Sequence, residues 1–156
     1  MSAGSGLAEA QLPTLDDTHD FGRRLAGHLR AGDLVILTGD LGAGKTSLTQ
    51  GIGDGLGVRG PITSPTFVIA RVHPSLVGGP ALVHVDAYRL GGLAELEDLD
   101  LEASLEEAVT VVEWGHGLAE TLSEAVLEVV LVADPETEAR AVRVVGHGAR
   151  WAGVTW

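Results

Sequence analysis

Eight consecutive residues, Gly39-Asp40-Leu41-Gly42-Ala43-Gly44-Lys45-Thr46, constrain this chain more than any other feature of it. They fit G-x-x-x-x-G-K-[ST] without a departure. Before them runs a continuous apolar stretch, Leu34-Val35-Ile36-Leu37; after them a helical pattern extends from Lys45 to Leu56 and closes at Gly57. An uninterrupted apolar run predicts a strand buried on both faces, and hence a parallel sheet covered by helices. The turn then lies where a strand ends and a helix begins. There, glycines let backbone N–H groups face inward around phosphate oxygens, aided by the positive end of the helix. The pattern gives Lys45 to the β- and γ-phosphates and the Thr46 hydroxyl to Mg²⁺. A ligand-free glycine turn is the plain alternative, but it would leave the only lysine of the chain unused. The other basic residues are arginines, whose wide fork does not replace a compact ammonium. Guanine-binding proteins of this kind usually carry N-K-x-D; a chain with no asparagine and no second lysine cannot, so ATP is the expected nucleotide.

The rest of the chain reads as a sheet built around that turn. Residues 1–11 are small and polar and predict a loose N-terminal arm, with 12–15 as a short strand. Asp16, Asp17 and Thr18 open a helix with Phe21, Leu25 and Leu29 on one face, stopped by Gly32 and Asp33. Strands are expected at 67–72, 81–85 and 109–112, with a loop over 73–80 and short helices within 93–107 and 118–122. Two late strands, 125–132 and 139–145, are split by Asp134-Pro135 and are expected to be antiparallel, because the connection is too short for a parallel crossover. The expected fold class is α/β: one P-loop NTPase-like domain over 12–146, with a mostly parallel sheet flanked by helices on both faces and a late antiparallel strand pair. Residues 147–156 form a tail in which Trp151 and Trp156 pack.

Several functions are excluded or disfavoured. Without cysteine there is no disulfide, thiolate nucleophile or cysteine-ligated zinc, and no G-x-S-x-G occurs. The start of the chain lacks a basic and apolar leader, and no apolar run nears the roughly 20 residues of a membrane span, so a cytoplasmic protein is expected. The formal net charge is −12, and residues 90–139 carry 14 acids and no lysine or arginine. Such a chain is not built to grip a phosphate backbone by itself.

Two acids stand at strand ends. Asp86 closes Val83-His84-Val85-Asp86, where an acid holding Mg²⁺ through water is expected; a turn or capping aspartate is the alternative. Glu113 follows the apolar run 109–112 and should emerge at the same sheet edge. It could complete the Mg²⁺ shell, orient the attacking water, or be an exposed surface glutamate. His84 and Asp86 share a strand face, but no third ligand lies near and the other histidines are scattered, so structural or solvent-facing histidines are the better reading.

These motifs, followed by Ser64-Pro65-Thr66-Phe67, His84-Val85-Asp86-Ala87-Tyr88-Arg89 and Glu113-Trp114 in order, resemble the bacterial TsaE (YjeE) family over roughly residues 12 to 132. Members are small P-loop ATPases needed for threonylcarbamoyladenosine (t6A) in tRNA. The resemblance implies that Gly39, Leu41, Gly42, Ala43, Gly44, Lys45, Thr46 and Ser47 enclose the phosphates, and that Thr46 and Glu113 contact Mg²⁺ with Asp86 as the Walker-B acid. Thr66 would belong to a switch-like loop beside the γ-phosphate, Trp114 would lie close by, and Asp16 and Thr18 would lie near the adenine. Arg140, from the late strands, is added as a phosphate contact.

The resemblance further implies docking on a TsaD–TsaB heterodimer and ATP hydrolysis that supports its turnover, with no strong direct binding of tRNA by this chain alone. The acidic stretch 90–139 is either a solvated face or the docking face. Two rival readings are a small P-loop metabolite kinase and a nucleotide-gated binding module. The kinase reading calls for a lid bearing arginines, which that base-free stretch does not supply.

Overall fold

The structure, a computed structural model, describes residues 5–39, 44–60, 62, 70–86, 106–113, 125–137, 139–152 and 154. In chain order these residues form β1 (Ser5–Leu12), α1 (Leu15–Ala26), β2 (Leu34–Thr38), α2 (Lys45–Leu56), β3 (Ala70–His73), β4 (Ala81–Asp86), β5 (Ala108–Glu113), β6 (Val126–Ala133) and β7 (Arg140–His147). The seven strands make one sheet in the order β1-β7-β6-β2-β5-β4-β3. The four central strands β6, β2, β5 and β4 are parallel, and they coincide with strands expected from the sequence at 125–132, 34–37, 109–112 and 81–85.

Outside that centre the sheet departs from the expected, mostly parallel arrangement. The late pair β6–β7 is antiparallel, as its short connection requires, but β3–β4 and β1–β7 are antiparallel too. The loose arm expected for residues 1–11 is corrected over its described part: β1 runs from Ser5 to Leu12 along β7, with an irregularity between Gly6 and Ala8. Its sequence is too small and polar to read as a strand alone, and its long-range partner supplies the pattern. The strand expected over 12–15 therefore ends where it was to begin. Helix α1 opens instead on a capping box, in which the Asp17 backbone N–H donates to Thr14 Oγ1 and the Thr14 N–H donates back to the Asp17 carboxylate. It ends at Ala26 with Gly27 as C-cap, ahead of Gly32 and Asp33.

One sheet face carries Val35, Leu37, Leu82, Val109, Val111, Leu127 and Val129 into a core with Phe21 and Leu25 of α1 and Leu48, Ile52 and Leu56 of α2. Each such side chain contributes roughly 1.5–3 kcal/mol when fully buried. Leu34, Ile36, Val83, Val85 and Val112 on the opposite face are also buried. The helices expected within 93–107 and 118–122 lie outside the described residues, apart from a turn at Glu106 and Glu107.

The two helices lie side by side, running the same way, on a glycine contact. A Cβ on Gly51 would fall onto the His19 carbonyl, one on Gly22 onto the Leu48 carbonyl, and one on Gly55 would press on Ala26 and Arg23. Each glycine costs about 1 kcal/mol of helix propensity relative to alanine, offset here by backbone-to-backbone packing. At the other end of the molecule Arg150 forks onto Asp33, with Nε to Oδ1 at 3.0 Å and Nη2 to Oδ2 at 3.1 Å, while Nη2 also donates to the His28 carbonyl. Its guanidinium stacks 4.1 Å from the ring of Trp151, which is buried in the core as expected. Trp156 lies outside the described residues.

Candidate phosphate and metal site

Parallel strands bring chemistry to one edge because their carboxyl ends line up. Here Glu113, last of β5, pairs in register with Asp86, last of β4, and with Leu37, next to last of β2. Two acids far apart in sequence thus end neighbouring strands at the level where β2 leaves the sheet through Gly39. Asp86 is described by its backbone alone.

The next described residue after Gly39 is Gly44. This residue has φ 96°, the left-handed region where glycine is favoured, and it caps α2 without any side-chain hydrogen bond. A glycine at this cap brings no side-chain oxygen of its own to the first N–H groups of α2. Lys45 is buried, 6% exposed, and its Nζ donates to the Gly39 carbonyl at 2.5 Å. Thr46 and Ser47 are half-buried on the first turn, and Thr49 Oγ1 donates to the Lys45 carbonyl at 2.8 Å.

Arg140, the first residue of β7, reaches the same place. Its Nε lies 3.3 Å from the position a Cβ would take on Gly44, and the Thr18 methyl lies 3.6 Å from it. The Arg140 Nη1 donates to the Ala139 carbonyl at 3.2 Å, and Thr18 is fully buried on α1. Asp16 is exposed on the first turn of that helix. The start of α2 and the Arg140 guanidinium thus meet at Gly44, while the Lys45 ammonium is held at the Gly39 carbonyl, a donor set that suits a polyphosphate. The Thr46 hydroxyl with the two strand-end acids offers hard oxygen donors of the kind Mg²⁺ takes. Among the described residues, no group of three or more histidines or acids gathers as a metal cluster. Leu41, Gly42, Ala43 and Thr66, with Asp40, Ser64, Phe67 and Trp114, lie outside the described residues.

One neighbour of the acids was not foreseen in this role. His84, fully buried, donates from Nε2 to Glu113 Oε2 at 2.5 Å. Glu113 is only 5% exposed, so the reading as an exposed surface glutamate is overturned. The Nε2 of His84 is thus engaged by an acid of the neighbouring strand. The clue was present in the sequence: His84 and Asp86 share a face of one strand, and Glu113 ends the next. Nearby, His73 has its pKa lowered from 6.5, first by burial, then by His84 and Arg71, against the Arg59 carbonyl that accepts from Nδ1.

Comparison with known proteins places the chain in a family. Residues 12–142 match the family model of threonylcarbamoyl adenosine biosynthesis protein TsaE. A tRNA threonylcarbamoyladenosine biosynthesis protein TsaE from Streptomyces coelicolor is 64% identical over 85% of this chain and 93% of its own length. The Bacillus subtilis protein of the same name is 36% identical over 79% of this chain and 77% of its own. The crystal structure of Bacillus subtilis YdiB superposes with a TM-score of 0.75 at 27% identity, covering 97% of this chain and 92% of that one.

Proposed function

This chain belongs to the TsaE family of threonylcarbamoyl adenosine biosynthesis proteins, and we propose that within it the chain is an Mg²⁺-dependent ATPase. The observation that carries this reading is the meeting of Arg140 with the start of α2 at Gly44, with Lys45 held at Gly39, beside a sheet edge that ends in Asp86 and Glu113. Lys45 and the backbone N–H groups of the loop hold the β- and γ-phosphates, and Arg140 adds a second positive charge from β7. Thr46, Asp86 and Glu113 hold the cation. A cation held there would supply positive charge against the phosphates and the attacking water. Glu113, buried and fixed, orients that water. Thr18 and Asp16 bring the amino end of α1 toward the base.

We further propose that the chain works as a cytoplasmic component docked on a TsaD–TsaB complex, its hydrolysis supporting that complex's turnover. The charge map supports docking over a direct grip on tRNA, since residues 90–139 hold 14 acids and no lysine or arginine. The test is reconstituted t6A synthesis with and without this chain, with phosphate release followed in parallel. Modification that needs both the chain and its ATP turnover supports the reading. Multiple-turnover modification that proceeds equally well without the chain removes it.

A further inference from the structure

The pair His84–Glu113 is an unusual thing to bury. It sits on the sheet face whose neighbouring inward positions are Leu82, Val109 and Val111, all fully buried. His84 is itself poorly served, because its Nδ1 is buried with no hydrogen-bond partner among the described residues. An unmet buried polar atom costs about 1–3 kcal/mol. Replacing a buried polar or charged pair by packed apolar side chains is often neutral or stabilising. Stability therefore does not account for this histidine. Geometry does. In the parallel register His84 lies opposite Val111, and Glu113 lies opposite Asp86. Glu113 thus reaches diagonally across two strands to meet Nε2, which fixes its side chain in one orientation. His84 occupies Oε2, so Oε1 is the oxygen left to act on water or cation.

We propose that His84 is a positioning residue for hydrolysis, holding the Glu113 carboxylate so that Oε1 faces the phosphate site. The proposal rests on the ATPase reading above. His84 touches neither nucleotide nor cation and acts through Glu113 alone. Partners that orient a working carboxylate typically matter by 10- to 100-fold in activity, and that is the effect expected here.

The test uses the full chain in the reconstituted complex, with His84→Leu, which removes the donor, and His84→Gln, whose amide N–H reaches about as far as Nε2. His84→Leu should lower kcat about 10- to 100-fold while ATP affinity changes less than about threefold, and His84→Gln should restore most of the turnover. In a Glu113→Gln background, His84→Leu should cost little more, since the group it positions has already lost its charge. A merely structural histidine would produce the same loss in both backgrounds, with melting temperature falling in step, and that result overturns the proposal. So does wild-type turnover by His84→Leu. Should His84→Leu not fold, His84→Gln decides: turnover near wild type upholds the proposal, and a loss as deep as that of Glu113→Gln in a folded protein overturns it. A wild-type complex that never hydrolyses ATP overturns the ATPase reading itself, and this inference with it.

Discussion

The Lys45 ammonium donates to the Gly39 carbonyl at 2.5 Å, tying the first residue of α2 to the residue that leaves β2. A neutral carbonyl is a weaker acceptor for an ammonium than a phosphate oxygen, so an incoming anion can take over this bond. Lys45→Ala should therefore abolish ATP turnover in a protein that still folds. Lys45→Arg should not restore it, because the planar fork does not fit a cradle shaped for a point charge. Near-normal phosphate release by either folded variant would contradict the role given to this lysine.

The strand-end acids should separate hydrolysis from binding. Asp86→Asn and Glu113→Gln should each lower turnover by about 10²-fold or more, with a smaller loss in ATP affinity, because Lys45 and the loop backbone remain. Chelation with EDTA should stop hydrolysis, and excess Mg²⁺ should restore it. Turnover that persists in EDTA would take the cation out of the mechanism.

His73 makes part of the stability depend on pH. The folded protein holds this ring's pKa below 6.5, chiefly by burial, so under mildly acidic conditions the unfolded chain binds a proton that the native state refuses. Stability should then fall as pH drops through the window below 6.5. His73→Gln should narrow the difference in melting temperature between about pH 7.5 and about pH 5.5. Equal differences in the two proteins would show that another group governs the window.

The helix contact leaves no room at Gly51. Gly51→Ala must push α1 from α2 or bend one of them, and should cost about 1–3 kcal/mol, the usual range for overpacking. Gly6→Ala is the control, since nothing lies within 4 Å of the position a Cβ would take there. Denaturant midpoints of the two variants measure the contrast, and equal midpoints would deny that the helices meet so closely.

Arg150→Ala should destabilise by about 2–3 kcal/mol, because it strips a nearly buried Asp33 of its forked partner and Trp151 of its stacked guanidinium. Arg150→Lys should recover only part of that loss. Thermal melts that place Arg150→Ala beside wild type would reduce this ion pair to decoration.

What could be read from the sequence was what short stretches specify by themselves. The motif gave α2 its bounds, Lys45 to Leu56, and mainly apolar stretches marked β2, β4, β5 and β6. The late antiparallel pair followed from the length of its connection. What could not be read depends on partners far away in the chain. β1 is a strand because β7 pairs with it, and Asp33, read as a helix stop, is the buried acceptor of Arg150. Arg140 is added to the phosphate contacts with no local motif behind it, and its place beside Gly44 follows from β7 starting next to the head of α2. His84 reads as one more histidine until β4 and β5 are set side by side, which brings the Glu113 that ends the next strand within its reach.

The pairing of β1 with β7 also sets an order in time. On the ribosome, residues 5–12 emerge early, while the strand that receives them, 140–147, follows only after most of the domain has been made. Until then β1 waits with both backbone edges open, the kind of segment that recruits strangers. Its composition makes the wait safe: Ala8 and Ala10 offer little apolar surface on the side that will face the core, and Glu9 and Gln11 keep the other side wet. The same plainness that hides this strand from a reader of the sequence hides it from the crowded cell until its partner is made.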